Sequence, residues 1–201
     1  WQEVNYNFAF FSKVPNLDFD SLYQSYIPKV LGTKSDYEYY RVLQKFCASL
    51  KDGHTNIFFP EYINDSLYSY SFGEYRLFFT NIEDKIIVSN TAKGTKNKIP
   101  VGSELLEINH IPIKQFVNEE VAPYISSSTE QGRELLIPFS VLQGFKGTKV
   151  DIKIKKPNGE EKEYTLTRGD SNDEIYPPLQ NDLFIFKELE KGIVYLNINS
   201  F

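Results

Sequence analysis

The chain has 201 residues, 41% hydrophobic and 15% aromatic, enough apolar surface for a buried core in one or two domains and too much for a disordered chain. Its net charge of -5 comes from interspersed acids and bases, which argues against a duplex nucleic-acid surface, where Lys and Arg cluster. Cys47 has no partner for an internal disulfide, and His54 and His110, with no cysteine nearby, do not have zinc-ligand spacing, so neither a metal nor another cofactor is implied.

The first third reads as helical. Val4, Phe8 and Phe11 recur at helical spacing, and Asp18 opens a second segment through Phe19, Leu22, Tyr23 and Tyr26 that Pro28 is expected to interrupt. The third helix is the best specified. Ser35-Asp36-Tyr37-Glu38 has the capping-box pattern, and Tyr39, Val42, Leu43, Phe46, Cys47 and Leu50 then form one apolar stripe. Asp52-Gly53 is expected to end it as a C-cap, which leaves His54 on a helix-to-strand turn. An imidazole titrates near neutrality, so His54 is the candidate catalytic base. Cys47, on the apolar stripe, reads as a buried small hydrophobe.

Ile57-Phe58-Phe59 reads as a short β-type run stopped by Pro60, and a domain boundary is expected near residues 61 to 71. A hairpin follows, 76–80 with 85–89 about a Glu83-Asp84 turn. A Lys/Asn/Gly-rich loop at 93–98 leads to a strand over 102–109 that ends in the Asn109-His110 turn, with His110 exposed. Residues 113–125 are helical in part. In 130–143, Leu135, Leu136, Phe139 and Leu142 keep helical spacing, interrupted by Pro138. Lys149 to Lys155 alternates strictly, turns at Pro157-Asn158-Gly159 and returns through Arg168 as a second hairpin. Residues 169–182 read as a linker, and 192–201 as a strand that needs partners for its backbone and apolar face.

No apolar run approaches the roughly 18 residues of a membrane span, and a start at Trp1 without an export signal suggests a processed or trimmed chain. The chain also lacks a Gly-x-Ser-x-Gly elbow, and Ser126-Ser127-Ser128 sits in a polar loop, so only the base of a serine hydrolase is offered.

With Leu-Lys-Asp-Gly-His-Thr at 50–55 closing a helical region, Val101 to Asn109 and the hairpin to Arg168 behind it, and the strand from Gly192, the chain resembles the S41 family of serine peptidases. This is the carboxyl-terminal-processing and tricorn-core group. The resemblance implies an α+β fold: an N-terminal helical domain at 1–65, a PDZ-like β-rich domain at 66–168, and at 169–201 a linker with the first strand of a truncated catalytic core. It implies a serine-type endopeptidase acting on peptide or protein substrates, whose PDZ-like domain positions substrate, exported to periplasm or cell surface. The nucleophile would lie beyond Phe201, so this fragment alone is expected to be inactive. His54 matches the histidine base of the tricorn-like branch, although Gly53 stands where that branch has serine, and a lysine-assisted mechanism stays open. A PDZ-like fold also adds a peptide to a sheet edge and holds its carboxylate on loop amides, for which Phe72-Gly73-Glu74-Tyr75 is the nearest match, with Glu74 opposing an anion. The alternative is a non-catalytic peptide-binding or scaffold module. A carbohydrate-surface protein is a third reading, motivated by the tyrosine count alone.

Overall fold

The structure is a computed structural model that describes residues 1–179 and 182–198. The N-terminal unit is built from helices α1 (Gln2–Asn7), α2 (Phe19–Leu31) and α3 (Asp36–Ala48), with a 3-10 turn at Phe11–Lys13. Polar caps set the two long helices: Asp18 accepts from the Ser21 amide at 2.9 Å and Ser35 from the Glu38 amide at 3.2 Å. Glu38 reaches back to the Lys34 amide at 2.8 Å, one residue further than the capping box specifies. Pro28 does not end α2. It lies in the last turn, exposed, so its missing N–H costs one bond and the helix continues to Leu31.

Phe19, Tyr26, Phe46, Cys47 and Leu50 form the core of this unit, with Val4, Phe8 and Phe11 packed against it. The rings make a continuous run, with Phe8–Phe11 centroids 5.0 Å apart, Phe11–Phe19 5.3 Å and Phe19–Phe46 5.4 Å. The expected C-cap is displaced. After Ala48 the backbone tightens through bonds from Ser49, Leu50 and Lys51 to the third residue back, and the left-handed residue is Lys51 (φ 51°), not Gly53.

Residues 57–59 form no strand: Ile57 joins the helical core, Phe58 is exposed, and Phe59 stacks on Tyr37 at 5.3 Å. Helix α4 (Glu61–Asn64) follows, then β1 (Leu67–Tyr68). The main sheet contains β2 (Phe78–Ile82), β3 (Lys85–Ala92), β4 (Glu104–Ile108) and, across that turn, β5 (Ile111–Pro112). β6 (Gly144–Phe145) pairs with β1, which places the expected boundary segment on the sheet side of the molecule. β7 (Lys149–Lys155) and β8 (Glu161–Thr167) complete an antiparallel order β2-β3-β4-β7-β8. The β2–β3 turn places Glu83 and Asp84 at φ 50° and 60°, and the β4–β5 turn places Asn109 and His110 at 49° and 63°, the primed geometry that matches strand twist.

The strict alternation of β7 buries Val150, Ile152 and Ile154 and turns the charged residues away. Leu77, Val88, Leu105, Ile108 and Leu166 join them in the module's core. α5 (Ile113–Phe116) continues into a π-helical stretch at Val117–Val121, whose Val121 packs on that core, and α6 (Glu130–Ser140) packs over it. The stripe expected on α6 is rotated. Leu135, Leu136 and Phe139 are exposed, while Ile137, Pro138 and Val141 point inward. The helix stops at Ser140, so Leu142, although buried, lies off its period.

The expected linker is not free. β9 (Ile175–Tyr176) pairs with Ala92 and Thr91, the Lys93 amide donates to the Glu174 carbonyl at 2.7 Å, and the Gly94 amide to Asp173 at 2.7 Å. Beyond it, β10 (Phe184–Glu190), not expected from the sequence, pairs with β11 (Ile193–Ile198) as a two-stranded sheet of its own. Phe184, Phe186, Leu189, Ile193, Val194 and Leu196 are all exposed on it. The parts of the expected linker and strand at 180–181 and 199–201 lie outside the described residues.

Candidate active site

His54 lies, exposed, on the turn after α3, and the turn is held from both sides. Leu50, fully buried, anchors its start in the helical core. Asp52 accepts from the Thr55 hydroxyl at 2.7 Å, and the Asn56 amide donates to the Gly53 carbonyl at 2.8 Å. From the sheet module comes Ser128, in the loop before α6. Its Oγ accepts from the Gly53 amide at 3.0 Å and donates to Asp52 at 3.4 Å. The backbone on the N-terminal side of His54 is therefore clasped by a residue more than seventy positions away.

The Thr55 hydroxyl is the main cause that holds the Asp52 carboxyl below the usual carboxylate range, with smaller contributions from Ser128, the His54 amide and the His54 charge acting against desolvation. Asp52 is thus an anion at neutral pH, next to an imidazole. Among the described residues no group is hydrogen-bonded to that imidazole. Chemically the turn presents a solvent-facing imidazole, a proton acceptor, on a backbone held by the Ser128 clasp.

A hydroxyl for it to activate is not assembled here. Ser127 donates to the Thr129 carbonyl at 2.9 Å, Ser128 belongs to the clasp, and the Ser126 hydroxyl is buried without a hydrogen-bond partner among the described residues. The Ser126–Ser128 run leads into Thr129, which caps α6 by accepting from Gly132 at 3.0 Å. Cys47 is buried and its thiol is pushed up by desolvation, the opposite of an activated nucleophile. His110 is an exposed turn residue beside a separate cavity of about 220 Å³ shared with Glu107, Asp151, Lys153 and Glu163. Among the described residues no cluster of His, Cys, Asp and Glu could hold a metal ion, and no helix is long and apolar enough to cross a membrane.

The Phe72–Tyr75 loop is closed on itself. Phe72 and Tyr75 exchange backbone bonds at 2.9 and 3.0 Å, and the Gly73 amide is directed to Gly169 at 3.4 Å. Glu74 pairs with Lys98 at 3.0 Å. The amides of Phe72, Gly73 and Tyr75 are engaged in this way and so are not available to a peptide carboxylate. The clasp by Ser128 left no signal in the sequence, because the contact joins segments far apart in the chain.

The sequence matches no family model and no curated protein. Solved structures match by fold. A serine-to-alanine mutant of CPAF superposes with a TM-score of 0.56 at 16% identity, over 76% of this chain and 28% of that one. Mature CPAF gives 0.54 at 16% identity over 76% and 29%, and mature CPAF complexed with lactacystin gives 0.50 over the same shares. This chain therefore has the fold of part of CPAF, a serine protease, and spans less than a third of its length.

Proposed function

We propose that this chain is the N-terminal helical domain and PDZ-like domain of an exported serine endopeptidase of the S41 type, whose nucleophile and oxyanion donors lie outside these residues. The observation that carries the reading is the fold shared with CPAF over three quarters of the chain. His54 takes the role of base or orienting residue: it accepts the serine proton during attack and returns it to the leaving amine. The clasp by Ser128 keeps the turn in place. Substrates are peptides or proteins, positioned by the sheet module as a rigid wall rather than by terminal-carboxylate capture at Phe72–Tyr75.

The apolar hairpin β10–β11 supports the same reading. A two-stranded hairpin exposing this many large apolar side chains, Tyr195 and Ile198 among them, is marginal on its own, and adding further strands would cover it, as the start of a catalytic core would require. The test is peptide hydrolysis by the longer protein carrying His54→Ala. Loss of kcat by about 10²-fold or more is expected for removal of a general base. Full retained activity would remove His54 from the mechanism and assign the base to a lysine. A longer protein without peptidase activity would favour the peptide-binding or scaffold reading instead.

A further inference from the structure

A second site lies in the seam between the helical unit and the sheet module, centred on Arg41 of α3. Its Nη2 donates to the Glu120 carbonyl at 3.0 Å and its Nη1 to Gln44 Oε1 at 3.4 Å, while the guanidinium carbon lies 3.4 Å from the centre of the Tyr124 ring. Two of five N–H groups are taken by these bonds, and among the described residues no carboxylate forms an ion pair with it. Burial pulls the Arg41 pKa down, against the opposing influence of Tyr37, Tyr124 and Glu120. The cation is partly desolvated and incompletely compensated, an arrangement that costs stability unless an anion completes it.

The space beside it is a cavity of about 440 Å³, within the range of small-molecule sites. One wall comes from the helical unit (Arg41, Gln44, Phe58, Phe59) and the other from the module (Phe116, Gln143). The acidic side chain on the lining is Glu120, which is exposed. A planar guanidinium with free N–H groups binds carboxylates through paired bonds, and the aromatic wall favours an apolar body attached to the anion.

We propose that this seam cavity binds a small carboxylate carrying an aromatic or branched apolar body, the anion on Arg41 and the body among Phe58, Phe59 and Phe116. The carboxylate can come from a chain terminus or from an acidic side chain flanked by apolar residues. The site is independent of any role for His54.

The experiment titrates the chain with N-acetylphenylalanine and with its primary amide, followed by amide chemical-shift changes. The acid should bind at least about tenfold more tightly than the amide, the discrimination expected when a charged hydrogen-bonding partner is removed. Arg41→Gln should abolish that preference. Glu120→Gln, at an exposed position and so without a folding cost, should tighten the acid about two- to fivefold by removing a competing anion. A C-terminally amidated Phe-Glu-Phe peptide identifies the source: competition by it assigns side-chain carboxylates, and competition by the free acid alone assigns chain termini. Equal affinity of acid and amide, no binding of the acid at millimolar concentration, or weaker binding after Glu120→Gln would overturn the site.

Discussion

Replacing Gly144 with alanine should destabilise the sheet module through a single side chain, Arg168. A Cβ at Gly144 would stand 2.6 Å from both Cζ and Nε of that arginine, about 1 Å inside ordinary contact. The guanidinium cannot retreat freely. Its Nε donates to the Leu142 carbonyl at 2.8 Å, Nη1 to the Thr148 hydroxyl at 3.1 Å and Nη2 to the Gln143 carbonyl at 3.3 Å, all in a residue 8% exposed. A shift of that size gives up at least one charge-assisted bond, worth about 1.5–3 kcal/mol, and strains the others. Gly144 has no positive φ, so alanine recovers about 0.4–1 kcal/mol from the unfolded chain. The net expectation is a loss of about 2 kcal/mol and a melting point lower by about 4–8 °C for a chain of this size. Urea unfolding of the wild type, Gly144→Ala, Arg168→Ala and the double variant gives the assay, because the cycle isolates the contact. In the Arg168→Ala background the alanine at 144 should cost nothing. An equal penalty in both backgrounds would refute the steric account, and a wild-type-like Gly144→Ala would refute the packing itself.

Leu50→Ala removes a fully buried side chain beneath the His54 turn and should cost about 2–5 kcal/mol in urea unfolding, reporting whether the helical core is packed as described. Ser128→Ala should leave stability within about 1 kcal/mol yet speed hydrogen exchange at the Gly53 amide, since the clasp is one bond to that amide and one long, exposed bond to Asp52; unchanged exchange would mean the clasp is not formed in solution. Because the folded pKa of Asp52 is depressed, its contribution is present above the unfolded carboxylate pKa and is lost as pH falls through the folded value. Gly53 protection should therefore drop only in acid, followed by exchange across an acidic titration. The Tyr62 phenol, which donates to Asp36 at 2.5 Å, is pushed up to about 12, first by that bond, while burial raises Tyr26 and Tyr75; alkaline absorbance titration should show several late tyrosines, and Asp36→Asn should return one of them to the ordinary range.

Where the determinants were local, the residues were readable. The Ser35 cap and the stripe ending in Phe46, Cys47 and Leu50 specify α3, because capping and burial both act within a few turns. The β2–β3 and β7–β8 hairpins follow from alternation and from turn residues that tolerate or favour positive φ. Misreadings fall where a distant partner decides. Ile57-Phe58-Phe59 has strand composition and no ladder, since one of its rings is taken by Tyr37 and another residue by the helical core. The rotation of α6 depends on which side faces the sheet, and a Pro-containing segment with apolar residues on several sides does not encode that by period alone. β9 is two residues in a polar stretch, and only the backbone of Thr91 and Ala92 makes it a strand.

By itself, then, the sequence determined the α+β character, the best-capped helix, the two long hairpins and the placing of His54 on the turn that follows that helix, though not the strand expected after it, because each rests on contacts within a few residues. The tertiary structure alone decided what grips that turn and what stands in the seam. Ser128 meets Gly53 and Asp52, and Arg41 meets Tyr124 and Glu120, across 75 or more positions. Such pairs carry no period or motif: they arise when the packing of two units brings a hydroxyl to one amide and a guanidinium to one ring.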